Sequence, residues 1–130
     1  MPTPILYSIG HSNRPLATFL RRLKAHRVKT LVDVRTYPRS AYAPHFNAMP
    51  LRSALEAAGI QYLYQGQNLG GKGKNEDFDG AIRTLARMAK KGVRACVLCA
   101  EADFRKCHRH LTIEPAMMKR GVEMRHITYD

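Results

Sequence analysis

Five short apolar runs alternate with four segments of helical period along this chain. That alternation restricts the available folds more than any single residue does. Residues 5–9, 30–34, 60–64, 95–99 and 122–128 are strand-length and rich in Val, Ile, Leu and Tyr. The run at 95–99 is continuously apolar, as a strand covered on both faces of a parallel sheet must be. Between the runs, Leu16, Phe19, Leu20 and Leu23 repeat at i, i+3, i+4 and i+7, behind Pro15 as a helix starter and Ser12 and Asn13 as caps. A second helix starts at Pro50 with Leu51 and Leu55 inward and stops at Gly59. A third carries Phe78, Ile82, Leu85 and Ala89 and stops at Gly92. The last spans about 107–120 and is interrupted at Pro115. Strand, helix, strand repeated in this way predicts an α/β fold. It should be a three-layer, Rossmann-like domain over residues 1–130, with a mainly parallel five-stranded sheet and helices on both faces.

Composition narrows the setting. A hydrophobic content of 45% is too high for a disordered basic tail. No apolar run reaches the roughly 18 residues of a membrane span, and the first residues lack the charged and apolar regions of a secretory signal. A cytoplasmic protein with no membrane partner is expected. Cys96, Cys99 and Cys107 are odd in number and closely spaced, which argues against a disulfide framework. Lys and Arg number 22 against 10 Asp and Glu, a net charge of +12 that attracts polyanions.

In open parallel sheets ligands bind outside the carboxyl ends of the strands, and the unusual polar residues collect there. His11, Ser12 and Asn13 follow the first strand. Asp33, Arg35, Arg39 and Ser40 follow the second, and the glycine-rich stretch 66–73 the third. Cys99, Glu101, Asp103, Cys107, His108 and Arg109 follow the fourth. Asp33 and Arg35, at alternate positions, can leave one face of a strand end, either as a mutual ion pair or as an orienting acid beside an anion-binding fork. Tyr37, Tyr42, His45 and Phe46 interleave with Arg35 and Arg39 through residues 36–49. They suit either a loop anchored by its aromatics or a platform for stacked bases.

Three other patterns match known motifs only in part. Residues 66–72 begin like a phosphate-binding loop, but Gly73 stands where a magnesium-binding Ser or Thr belongs, which leaves a flexible connector or a turn whose amides approach an anion. Cys99 and Arg105 have the spacing of a cysteine-phosphatase loop, yet Glu101 and Asp103 within it would repel phosphate. Cys99 and Cys107 have no recognised zinc spacing; a metal site there would need His11 added, and no metal ligands are assigned.

The strand-end residues also carry a family resemblance. Ile9-Gly10-His11-Ser12-Asn13, Asp33-Val34-Arg35 with Pro38-Arg39-Ser40, and Phe46-Asn47 resemble the domain-of-unknown-function 488 family. So do Gly59-Ile60 with Tyr62, Leu69-Gly70-Gly71, Leu98-Cys99-Ala100-Glu101, Cys107-His108-Arg109 and His126-Ile127. The likeness runs from about residue 5 to 127, with a shorter segment between Gly71 and Phe78 than in many members. It brings no reaction and no cofactor. It implies that the strand-end residues form one shared site.

Three readings follow. In the first, an enzyme handles a nucleic acid or small phosphate-bearing ligand. Ser12, Asn13, Arg35, Arg39, Ser40 and Arg109 bind the substrate, Asp33, Glu101, His11 and His108 serve as acid–base candidates, and Cys99 is a nucleophile. In the second, a non-catalytic module binds nucleic acid through the basic helix residues Arg21, Arg22, Lys24 and Arg27, and Arg83, Arg87, Lys90 and Lys91. In the third, Cys99 and Cys107 form a redox or metal sensor.

Overall fold

The computed structural model describes residues 3–71, 75–101 and 103–129. Strands β1 (Ile5–Gly10), β2 (Thr30–Asp33), β3 (Gln61–Tyr64), β4 (Ala95–Cys99) and β5 (Glu123–His126) form one sheet in the order β3-β2-β4-β1-β5. Every pairing is parallel. The three central strands are buried almost throughout, which is why their sequences read as unbroken apolar runs. The edge strands β3 and β5 keep partly exposed, more polar residues.

Helices cover both faces, as the alternation predicts. On one face α1 (Leu16–Ala25) and α2 (Ala48–Ala57) bring Phe19, Leu23, Leu51 and Leu55 against Ile9, Leu31, Cys96 and Leu98. On the other, α4 (Phe78–Lys90) and α5 (Glu114–Met118) bring Ile82, Leu85 and Met117 against Leu6, Val32, Val97 and Met124. Leu31 and Val32 thus point to opposite faces, as successive strand residues must. Fully burying one such side chain contributes about 1.5–3 kcal/mol. Between β3 and α4 lies the short α3 (Gly66–Leu69), which the periodicity does not foreshadow.

Several helix ends differ from expectation. Ser12 and Asn13 do not cap α1; Pro15 occupies the cap position, and no side chain accepts a hydrogen bond there. The chain is still turning at Ser12, whose φ is +46°. Glycines at 59 and 92 do follow α2 and α4 with positive φ. The last helical stretch begins as a π-helix, Arg109–Ile113, before α5. Pro115 sits in the first turn of α5, where its missing N–H leaves no hydrogen bond unmade.

The connections from β1 and β2 run toward one edge of the sheet, and those from β3 and β4 run back toward the other. The reversal falls among β2, β4 and β1. Their carboxyl ends are the place where a ligand crevice opens in this class of sheet.

Candidate functional site

Asp33, the last residue of β2, is fully buried, and Arg35 nearly so. Arg35 folds back to meet it with Nε at 2.9 Å and Nη2 at 2.7 Å, one bond to each carboxylate oxygen. The backbone N–H of Arg35 adds a third bond, at 3.1 Å, and Tyr62 on β3 donates its hydroxyl to Asp33 at 2.6 Å. The remaining guanidinium nitrogen, Nη1, donates to the Phe46 carbonyl at 2.7 Å and reaches His11 Nε2 at 3.3 Å. Of the two roles open to Asp33 and Arg35, this is the mutual ion pair. Buried charges need such pairing, because desolvation costs several kcal/mol per ion.

His11 completes the network. Its Nδ1 donates to the Ser12 carbonyl at 2.6 Å, which leaves Nε2 as acceptor toward Arg35. Burial is the main cause that brings its pKa down to about 4, so the imidazole is neutral near pH 7. Phe46 stacks on it with centroids 4.6 Å apart and meets Phe19 edge-on. Phe46 therefore anchors the 36–49 loop in the core, whereas Tyr37 and Tyr42 stand exposed. Burial is also the main cause that raises the Tyr62 phenol far above its usual pKa, with the Asp33 hydrogen bond adding to it, so it stays a donor.

Above this network opens a cleft of about 440 Å³. Arg35, Tyr37, Arg39 and Ser40 line it from the β2 side, and Cys99, Glu101, Lys106, Cys107 and His108 from the β4 side. Arg39, Lys106 and Glu101 are exposed. The Ser40 hydroxyl accepts the N–H groups of Tyr42 and Ala43, and its own N–H goes to Asn47 at 2.7 Å. Ser40 thereby shapes the loop as well as the wall.

The sulfurs of Cys99 and Cys107 face each other within the cleft lining, with the two Cα atoms 7.5 Å apart. The turn Phe104–Lys106 carries the chain back so that Cys107 faces the end of β4, and Cys96 is the cysteine left over, buried with its thiol pKa driven up. A thiolate at Cys99 requires the two sulfurs to be unjoined, so its candidacy as a nucleophile goes with the reduced protein. Beside the pair, His108 is held below the usual histidine range chiefly by burial, against the pull of the Val34 and Leu69 carbonyls. Its ring lies where a Cβ on residue 71 would come within 2.7 Å of Nδ1, so any larger residue there would push the ring aside.

Other expectations shift. Arg109 does not line the cleft: it is fully buried, and donates to Ser8 Oγ at 3.0 Å and to the Glu101 carbonyl at 2.7 Å. Ser12 and Asn13 are absent from the lining too. Gly66 begins α3 packed against the Arg35 carbonyl with no room for a side chain, so this stretch is a fitted turn rather than a flexible connector. Lys72, Gly73 and Lys74, the end of the phosphate-loop-like pattern, lie outside the described residues. Arg105 is ion-paired with Asp103 at 3.0 Å and takes no part in the cleft, which removes the resemblance to a phosphatase loop. Residue patterns did not single out Lys106 as part of a wall, whereas Gly71 belongs to the glycine-rich stretch expected at this edge. Among the described residues, no helix is long and apolar enough to cross a membrane.

No curated protein and no solved structure matches the chain. The profile of the family described as Domain of unknown function DUF488 matches residues 15–79, half of the chain. That stretch contains α1, the Asp33–Arg35 pair, the aromatic loop and α3. The chain belongs to this family of unknown function.

Proposed function

We propose that the cleft binds a phosphate-bearing ligand of the nucleotide or single-stranded nucleic-acid class, and that it is the site of an enzyme. One observation carries this reading: Arg39 and Lys106 stand exposed on its two sides with the Tyr37 ring beside them. Two cations at a crevice suit phosphate oxygens, and an exposed tyrosine suits a base face. Glu101 is the exposed carboxylate of the lining and the acid–base candidate; His108 offers a neutral imidazole next to it. Asp33, Arg35 and His11 act as positioning residues, because their polar atoms are engaged with one another.

The purely electrostatic alternative has less support. The basic residues of α1 and α4 lie on helices that cover opposite faces of the sheet, so they form no single groove. The cysteine pair favours a thiol-redox reading, in which reduction changes what the cleft binds. One experiment separates the three. A labelled single-stranded oligonucleotide and its duplex are titrated at two salt concentrations, with and without a divalent cation, against oxidised and reduced protein. Binding lost in Arg39→Ala/Lys106→Ala but kept in Arg87→Glu/Lys90→Glu/Lys91→Glu supports the cleft, and strand shortening lost in Glu101→Gln supports turnover. The reverse pattern supports helix-face binding. No shift in either redox state ends the nucleic-acid reading.

A further inference from the structure

Away from the cleft, three side chains of metal-ligating chemistry converge where α5 meets the end of β5. His110, in the π-helical turn, and Glu114, at the start of α5, stand four residues apart and neighbour each other on the helix surface. His126 is the last residue of β5. Glu114 Oε1 lies 2.6 Å from His110 Nδ1 and 2.8 Å from His126 Nε2. One ligand atom from each residue falls within 4.8 Å of the other two. We propose that these three residues bind a divalent cation of the zinc class, with a fourth position left to water.

The donor set selects the ion. Two imidazole nitrogens and one carboxylate oxygen suit zinc and its neighbours, whereas magnesium and calcium take oxygen ligands throughout. The surroundings hold one ligand in place before any ion arrives. His126 Nδ1 faces the Ser8 hydroxyl, and Ser8 in turn receives Arg109 Nη1 at 3.0 Å. A hydrogen bond at the second nitrogen is how metal-ligating imidazoles are usually oriented. The Phe104 ring stacks on His126, nearly parallel with centroids 4.1 Å apart, and restricts it further. His110 is 41% exposed and gives the ion a path from solvent.

In the metal-free chain both facing ring nitrogens donate hydrogens to Glu114. On binding, each imidazole presents that nitrogen to the ion and keeps a hydrogen only on the other. The same contacts also set Ser8, His126 and Glu114 in the order of a hydrolytic triad. Ser8 is fully buried with Arg109 already on its hydroxyl, so no substrate reaches it. Arg109 links this cluster to the cleft, since its other arm holds the Glu101 carbonyl. The metal site stands independently of what the cleft binds.

The test is zinc binding by metal-stripped, reduced, full-length protein, measured by competition with a chromophoric chelator, with the bound metal counted by elemental analysis. The expected result is one zinc per chain. His110→Ala and Glu114→Gln should each weaken binding by more than the roughly 10–100-fold that losing an outer contact costs. A circular dichroism melt of each metal-free variant checks that it is folded; both residues lie near the surface, so the metal-free midpoint should change little. Cobalt in place of zinc should show no thiolate-to-metal band. Absence of saturable zinc binding would overturn the proposal. So would affinity unchanged in both variants, or a thiolate band that persists in them and vanishes in Cys107→Ser, since the ion would then sit on the cysteine pair.

Discussion

The floor and the rim of the cleft use the same kinds of residue to opposite ends. On the floor, Arg35 lines the cleft while Asp33 and His11, buried, and Tyr62, half-buried, stand behind it, and the four spend their polar atoms on one another. On the rim, Arg39, Lys106 and Glu101 are exposed and Tyr37 is 70% exposed. Arg35 and Arg39 are four residues apart, yet one is a structural part and the other a candidate ligand contact. Burial explains the difference. A guanidinium taken out of water must be matched by a fixed acid, whereas one left in water keeps its charge available to a ligand at little cost to the fold.

Substitutions should separate the two regions, and the largest effect is expected on the floor. Asp33→Ala leaves Arg35 buried beside no carboxylate and should destabilise the protein by about 3–5 kcal/mol, read as a shift of the urea midpoint. A midpoint close to that of the parent would show that the pair is not buried in solution.

Acid gives the next largest effect. The pKa of His11 is about 4 in the folded chain against 6.5 as the ordinary value, so only the unfolded chain takes up this proton over that interval. Stability from this group is therefore intact above pH 6.5 and is lost as pH falls toward 4, by up to about 3 kcal/mol. Urea midpoints across that range should show the loss in the parent and not in His11→Asn.

Tyr62→Phe removes one donor from the Asp33 carboxylate and should cost about 1.5–3 kcal/mol, with the cleft rim unchanged. Thermal melts of this variant and the parent provide the comparison.

The smallest stability effects belong to the rim. Arg39→Ala and Lys106→Ala should stay within about 0.5 kcal/mol of the parent. Each should also lower the salt dependence of oligonucleotide binding by about one unit of slope if that cation neutralises one phosphate. Rim variants that unfold the protein, or floor variants that leave it stable, would erase the distinction between the two regions.

Much of the fold was legible in local pattern. Continuous apolar runs such as 95–99 become central strands because both faces of a parallel sheet are covered, and Leu16, Phe19, Leu20 and Leu23 become a helix because their spacing is that of one helical face. The site was legible in part. That Asp33, Arg35 and Cys99 meet at one sheet edge follows from where strands end. That Asp33 and Arg35 consume each other, that Arg109 turns inward, and that Cys107 returns to Cys99 depends on distances across the sheet and around turns. His110 and Glu114, four residues apart, were not singled out from the sequence, and their third partner lies twelve residues beyond Glu114 on another element.

By itself, then, the sequence determined a parallel α/β sheet with helices on both faces and a carboxyl edge crowded with polar residues, because periodicity and strand ends are local properties of the chain. The tertiary structure decided which of those residues are buried partners and which remain at the surface. It alone decided that His126 joins His110 and Glu114. Charge pairing and metal-ligand geometry are set within a few ångströms by elements distant in sequence, and no spacing along the chain encodes that.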